Sequence, residues 1–260
     1  MRLSRKILTG LILSTAVTAA AASIADLNSE IARRLRGINN AKTVATIVFK
    51  QLAAPEKGKF VLDGASRYRK TGNKGFLELN LQRVTFDTIN SRSPSFLLVG
   101  SAAADLAQFA TREDLDAMVE TIEDVLNGLA KDYLAEYGDA ARVRVQISQK
   151  TKDASGHYNL ISGVVSLNID LNKLPPNRTK ESVSFLNAEF LVTARIAADL
   201  KTSIQASVNL RLNPLNPSVR DEDGEVQAGI KKLLALDKAT LDALENEFRG
   251  LDASIERELN

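Results

Sequence analysis

The sequence contains one histidine and no cysteine, so imidazole-assisted nucleophilic chemistry could draw only on His157. That residue follows Gly156 in a polar run, and no Gly-x-Ser-x-Gly stretch presents a serine to it. It is expected to be an ordinary turn histidine. Zinc sites usually need several His or Cys ligands, which this inventory lacks. Asp221, Glu222 and Asp223 carry the charge for a calcium ion without the ligand spacing of an EF-hand loop. They are expected to be a solvated charge run. Gly72 and Gly75 frame a turn ahead of a strand-like segment rather than a helix, so they are not a phosphate loop. Paired carboxylates leave glycoside hydrolysis open on inventory alone. Against it, the chain has no Trp and only 5% aromatic residues, which leaves few flat surfaces for a sugar. No catalytic residue, metal or cofactor emerges, and the expectation is a protein that is not an enzyme.

The most regular spacing belongs instead to apolar residues. Ile161, Val165, Leu167 and Ile169 alternate with polar neighbours, and Phe190, Val192, Ile196, Ile204, Val208 and Leu210 all fall on even positions. A period of two places each set on one face of a strand, dry on one side and wet on the other. Such a face, lined by aliphatic side chains with no polar anchor among them, suits a lipid or other apolar ligand held between sheet and helices. The competing expectation is a filled core.

Those strands need a scaffold, and the period changes along the chain indicate it. Thr111 and Asp114 form a capping-box start for a long helix over 112–137. Its apolar stripe is Leu115, Met118, Ile122, Val125, Leu129 and Tyr133, and Gly138 is its stop. Strands follow from 141 to 213, with a break at Pro175 and Pro176 and a reversal expected near 197–201. Earlier, Leu27, Ile31 and Leu35 mark a short helix closed by Gly37, 43–50 fits strand or helix, 60–69 and 76–89 form a hairpin, and 96–104 fits a strand. Leu241, Leu244, Phe248, Leu251, Ile255 and Leu259 give a C-terminal helix over about 238–258, with Phe248 expected to pack on the chain's own sheet. The fold class is α+β: an antiparallel sheet of long strands, one face covered by the 112–137 helix and the C-terminal helix. No sequence repeat is visible, so 26–260 is read as one domain.

Residues 1–25 have the order of a signal peptide: basic Arg2, Arg5 and Lys6, an apolar stretch from Ile7, then small residues. Cleavage fits after Ala22 or Ala25, and the second is favoured. The chain is therefore expected to be exported, periplasmic in a Gram-negative bacterium and otherwise secreted, with no transmembrane segment once the signal is removed. The remaining 31 basic and 32 acidic side chains nearly balance, which argues against nucleic acid as a partner. Charge alternates along the chain, however: basic over 26–100, acidic over 101–142. An alternative function is a structural or adaptor protein of the cell envelope, in which Arg33, Arg34 and Arg36 touch an anionic envelope component. A monomer is expected. Asn177-Arg178-Thr179 matches a glycosylation acceptor.

Overall fold

The computed structural model describes residues 23–56, 59–87, 95–216 and 225–260. Within them the chain runs α1 (Ile24–Leu35), β1 (Thr43–Glu56), β2 (Lys59–Gly72), β3 (Gly75–Asp87), β4 (Ser95–Asp105), α2 (Arg112–Glu120) and α3 (Ile122–Leu134). It continues through β5 (Ala141–Lys152), β6 (Tyr158–Ile169), β7 (Phe185–Ile196), β8 (Lys201–Leu212), α4 (Glu225–Leu234) and α5 (Lys238–Leu259). The eight strands form one antiparallel sheet in the order β1-β2-β3-β4-β8-β7-β6-β5. Each half is a four-strand meander. The two meet along β4 and β8, from Ser95 opposite Arg211 to Asp105 opposite Lys201. One plan, helix then four strands, is thus used twice although the sequence shows no repeat.

Pairing register carries the parity of β7 and β8 across the sheet, because directly opposed residues share a face. Leu98, Val208, Phe190 and Val165 are successive partners, and so are Gly100, Ala206, Val192 and Gly163. Two of these positions require glycine. Gly100 lies beside the bulge in β3 and Gly163 beside the bulge in β5. A Cβ there would stand 2.7 Å from the Asn80 carbonyl oxygen and 2.8 Å from that of Gln146, so only glycine lets the strands close up at these bends. The expected reversal between β7 and β8 is present, with Ile196 opposite Thr202. It lacks a glycine signal because Leu200 itself takes a positive φ of 62°.

Thr111 caps α2 as expected: its hydroxyl accepts from the Asp114 N–H, and the Asp114 carboxylate accepts from the Thr111 N–H. The unbroken helix expected over 112–137 is not found. Thr121 adopts φ −105° and ψ 6° and separates α2 from α3. Its hydroxyl donates back to the carbonyls of Ala117 and Met118, a competing bond that bends helices. The expected stripe is only partly the buried one, and the buried positions keep their spacing of three and four through the break. Leu115 stays buried, but Met118, Val125, Leu129 and Tyr133 are between 47% and 62% exposed, while Val119 and Leu134 take the buried positions. α3 lies beside edge strand β5, where the Glu123 carboxylate accepts the Ile147 N–H at 3.1 Å.

Buried residues gather at the flanks of the sheet. Over the first meander, Leu27, Ile31 and Leu35 of α1 join Leu241, Ile255 and Leu259 of α5 against Ala45 and Tyr68, with Phe248 half-buried beside them. The terminal helix therefore turns its stripe toward the chain's own sheet. Beneath α5, Lys70 is 3% exposed, and its Nζ lies 2.9 Å from Asp252 and 3.0 Å from Glu256. Asp252 also accepts the Tyr68 hydroxyl at 2.8 Å and that of Thr43 at 3.2 Å. Burial alone would depress Lys70, but the two carboxylates outweigh it and hold the ammonium above the ordinary lysine range. Arg33 and Arg34, expected with Arg36 to offer basic charge to a partner, also carry ion pairs within the chain, Arg33 remaining exposed. Both bind Glu30, and Arg34 also reaches Asp242 at 2.6 Å and Glu245 at 3.3 Å, tying α1 to α5.

Candidate functional site

Central strands of a helix-covered sheet are ordinarily its most buried part. Here no residue of β4 is buried. The helix-facing side of the middle strands is nonetheless apolar. One row across β3, β4, β8, β7 and β6 reads Val84, Leu98, Val208, Phe190 and Val165, and all five are half-buried. The next reads Phe86, Phe96, Leu210, Ala188 and Leu167; Phe86 and Ala188 are buried, Leu167 packs against the cluster at the end of α3, and the Phe86 and Phe96 rings lie 5.7 Å apart. The helices reach only the flanks. α1, α4 and α5 pack on β1 to β3, α2 packs on Tyr158, Ile161 and Ile196, and the end of α3 packs near Ile169 and Val183. Between them lies an apolar trough roughly 15 Å wide, four strands at about 4.8 Å spacing.

The ten apolar residues expected to form a ligand face do share one face. Ile161 and Ile196 are consumed by the α2 cluster, and Ile169 by the cluster at the end of α3, which leaves them 3% to 7% exposed. Val165, Leu167, Phe190, Val192, Ile204, Val208 and Leu210 remain half-buried. The sequence expectation omitted Val84, Phe96 and Leu98, which complete the trough from β3 and β4. The alternation of Phe96 and Leu98 with Leu97 and Val99 is apolar on both sides, so periodicity could not assign their face.

The polar clusters serve to hold elements together. His157 Nδ1 lies 2.6 Å from Asp116, which also accepts the Tyr158 N–H at 2.9 Å. The imidazole, and after it this backbone bond, keep the Asp116 carboxyl below the usual range. Arg112 donates to the carbonyls of Tyr158 at 2.7 Å and Ala197 at 3.2 Å, and the Tyr158 hydroxyl bonds Glu120. The result is a clamp between α2 and the turns that lead into β6 and out of β7. Among the described residues no serine or threonine hydroxyl bonds His157, so the dyad has no nucleophile placed on it. No group of three or more His, Cys, Asp or Glu among the described residues is arranged for a metal ion, and the 221–223 run lies outside them. No described helix is long and apolar enough to cross a membrane.

The opposite face of the sheet is wet. Ser162 and Thr193 hydroxyls meet across β6 and β7 at 3.0 Å. Two shallow depressions lie on this side, one of about 360 Å³ near Arg195 and Ser203, the other of about 260 Å³ near Arg142 and Asn187. Compared with protein-family models, curated proteins and solved structures, the chain gives no match.

Proposed function

We propose that this chain is an exported, non-catalytic binding protein that holds a lipid or another apolar ligand in the trough over β4, β8, β7 and β6. The observation that carries this is the half-buried apolar centre of the sheet, which no described helix covers. Leu98, Val208, Phe190 and Val165 form a continuous row outside every buried cluster of the described residues. A contiguous apolar surface left open on a sheet is commonly a binding surface. Solvent extraction and native mass spectrometry of the purified protein should recover an apolar ligand, and an apolar dye should bind and be displaced by fatty acid. Val208→Asp should weaken dye binding at least tenfold. Absence of both co-purifying lipid and displaceable dye would overturn the proposal.

Export rests on the signal-like order of residues 1–25, of which 1–22 lie outside the described residues. Ser23 supports a cut after Ala22 rather than the Ala25 favoured on sequence. It caps α1, accepting from the Asp26 N–H at 3.1 Å while Asp26 accepts from the Ser23 N–H at 2.9 Å. A cut after Ala25 would discard that cap.

One observation favours the envelope-adaptor alternative. Met118, Val125, Leu129 and Tyr133 stand exposed on α2 and α3, the spacing by which one helix anchors another. Loss of a complex in Leu129→Ser, with dye binding intact, would select the adaptor.

A further inference from the structure

On the wet face, opposite the trough, β5 to β8 bring together side chains that the sequence scatters over about 70 residues. Arg142, Asn168, Asn187 and Arg211 are successive partners in one cross-strand row. Arg144, Ser166, Glu189 and Asn209 form the row beside it. The three arginines are exposed and make no hydrogen bond or ion pair among the described residues, unlike Arg33, Arg34 and Arg112. The amides of Asn168, Asn187 and Asn209 are equally without partners there. A depression of about 260 Å³ runs between the rows.

We infer that this surface binds an acidic polysaccharide. The cations are sparse: Arg142 and Arg144 stand about 7 Å apart along a strand, and Arg211 lies three strands, about 14 Å, from Arg142. Between them are amides and a hydroxyl, which both donate and accept and so match sugar hydroxyls, while guanidinium forks match carboxylates. A polyphosphate is a poorer fit. Its charges are denser than these arginines, and the register puts no aromatic side chain on this face between the Arg142 and Arg195 rows for a base to stack on. The open, unwalled face suits an extended chain more than a small molecule. The proposal is independent of the trough, which lies on the other side of the sheet.

Purified protein should be retarded in affinity electrophoresis through polygalacturonate at physiological salt and not through neutral dextran. Arg142→Gln combined with Arg144→Gln and Arg211→Gln should weaken that binding at least tenfold with an unshifted melting temperature, since all three are exposed. Asn168→Ala with Asn187→Ala should weaken it severalfold without changing its salt dependence. Failure to bind polygalacturonate, or an unchanged affinity in the triple variant, would overturn the proposal. Retention by single-stranded DNA or by phosphatidylglycerol vesicles as strong as that by polygalacturonate would also overturn it, because charge alone would then explain the binding.

Discussion

The helix layers over the two meanders start from similar amphipathic sequence and end differently. α1 and α5 bury their stripes on β1 to β3 and lock them with Lys70, Asp252 and the Arg34 contacts. α2 and α3 bury only part of theirs, and Met118, Val125, Leu129 and Tyr133 are left facing water. Apolar periodicity therefore guarantees a sticky face, not a covered one. On α2 and α3 packing covers Leu115, Val119 and Leu134 and leaves the apolar residues on the other side of the same helices open.

Three substitutions probe that contrast. Leu241 is 1% exposed, and Leu241→Ala should cost roughly 2 to 5 kcal/mol in chemical denaturation, as truncations in a packed core do. A loss below 1 kcal/mol would erase the distinction between the two layers. Asp252→Asn leaves the buried Lys70 with Glu256 alone and should cost about 2 kcal/mol. The pH response follows from Lys70, whose folded value is raised. Its stabilisation is whole below the ordinary lysine value of 10.5 and is lost as pH rises through the folded value, so wild-type stability should fall in that alkaline range and the variant's fall should be smaller. Leu129→Ser, on the other layer, should change stability by less than about 0.5 kcal/mol, because the side chain is already 62% exposed. A large loss there would mean that the stripe is covered after all.

Much of this fold was legible in the sequence. Strict alternation in β7 and β8 placed both strands, their dry face and the reversal near 197–201, because tertiary packing and local geometry demand the same period. The capping boxes at Ser23 and Thr111 are both formed, that of Ser23 inside the segment whose composition reads as a leader. What could not be read was which strands become neighbours across the middle. Nothing local in Phe96 to Ala104 specifies β8 as its partner, and a run apolar on both sides does not say which face Leu98 takes. The Thr121 break was equally hidden, since a threonine in mid-helix bends some helices and not others. The arginine and asparagine rows depend on the register of four strands at once, which no single segment carries.

The β4–β8 seam also has a kinetic consequence. Each meander is built from contacts between strands close in sequence, whereas the seam joins residues about a hundred positions apart. Local pairings form quickly and distant ones slowly. Until the seam closes, β4 and β8 are each a bare edge offering the same hydrogen-bonding ladder to any chain nearby. At high concentration the nearest β8 can belong to another molecule, and the two half-sheets would then mate between copies, a swapped dimer held by the same pairs that complete the monomer.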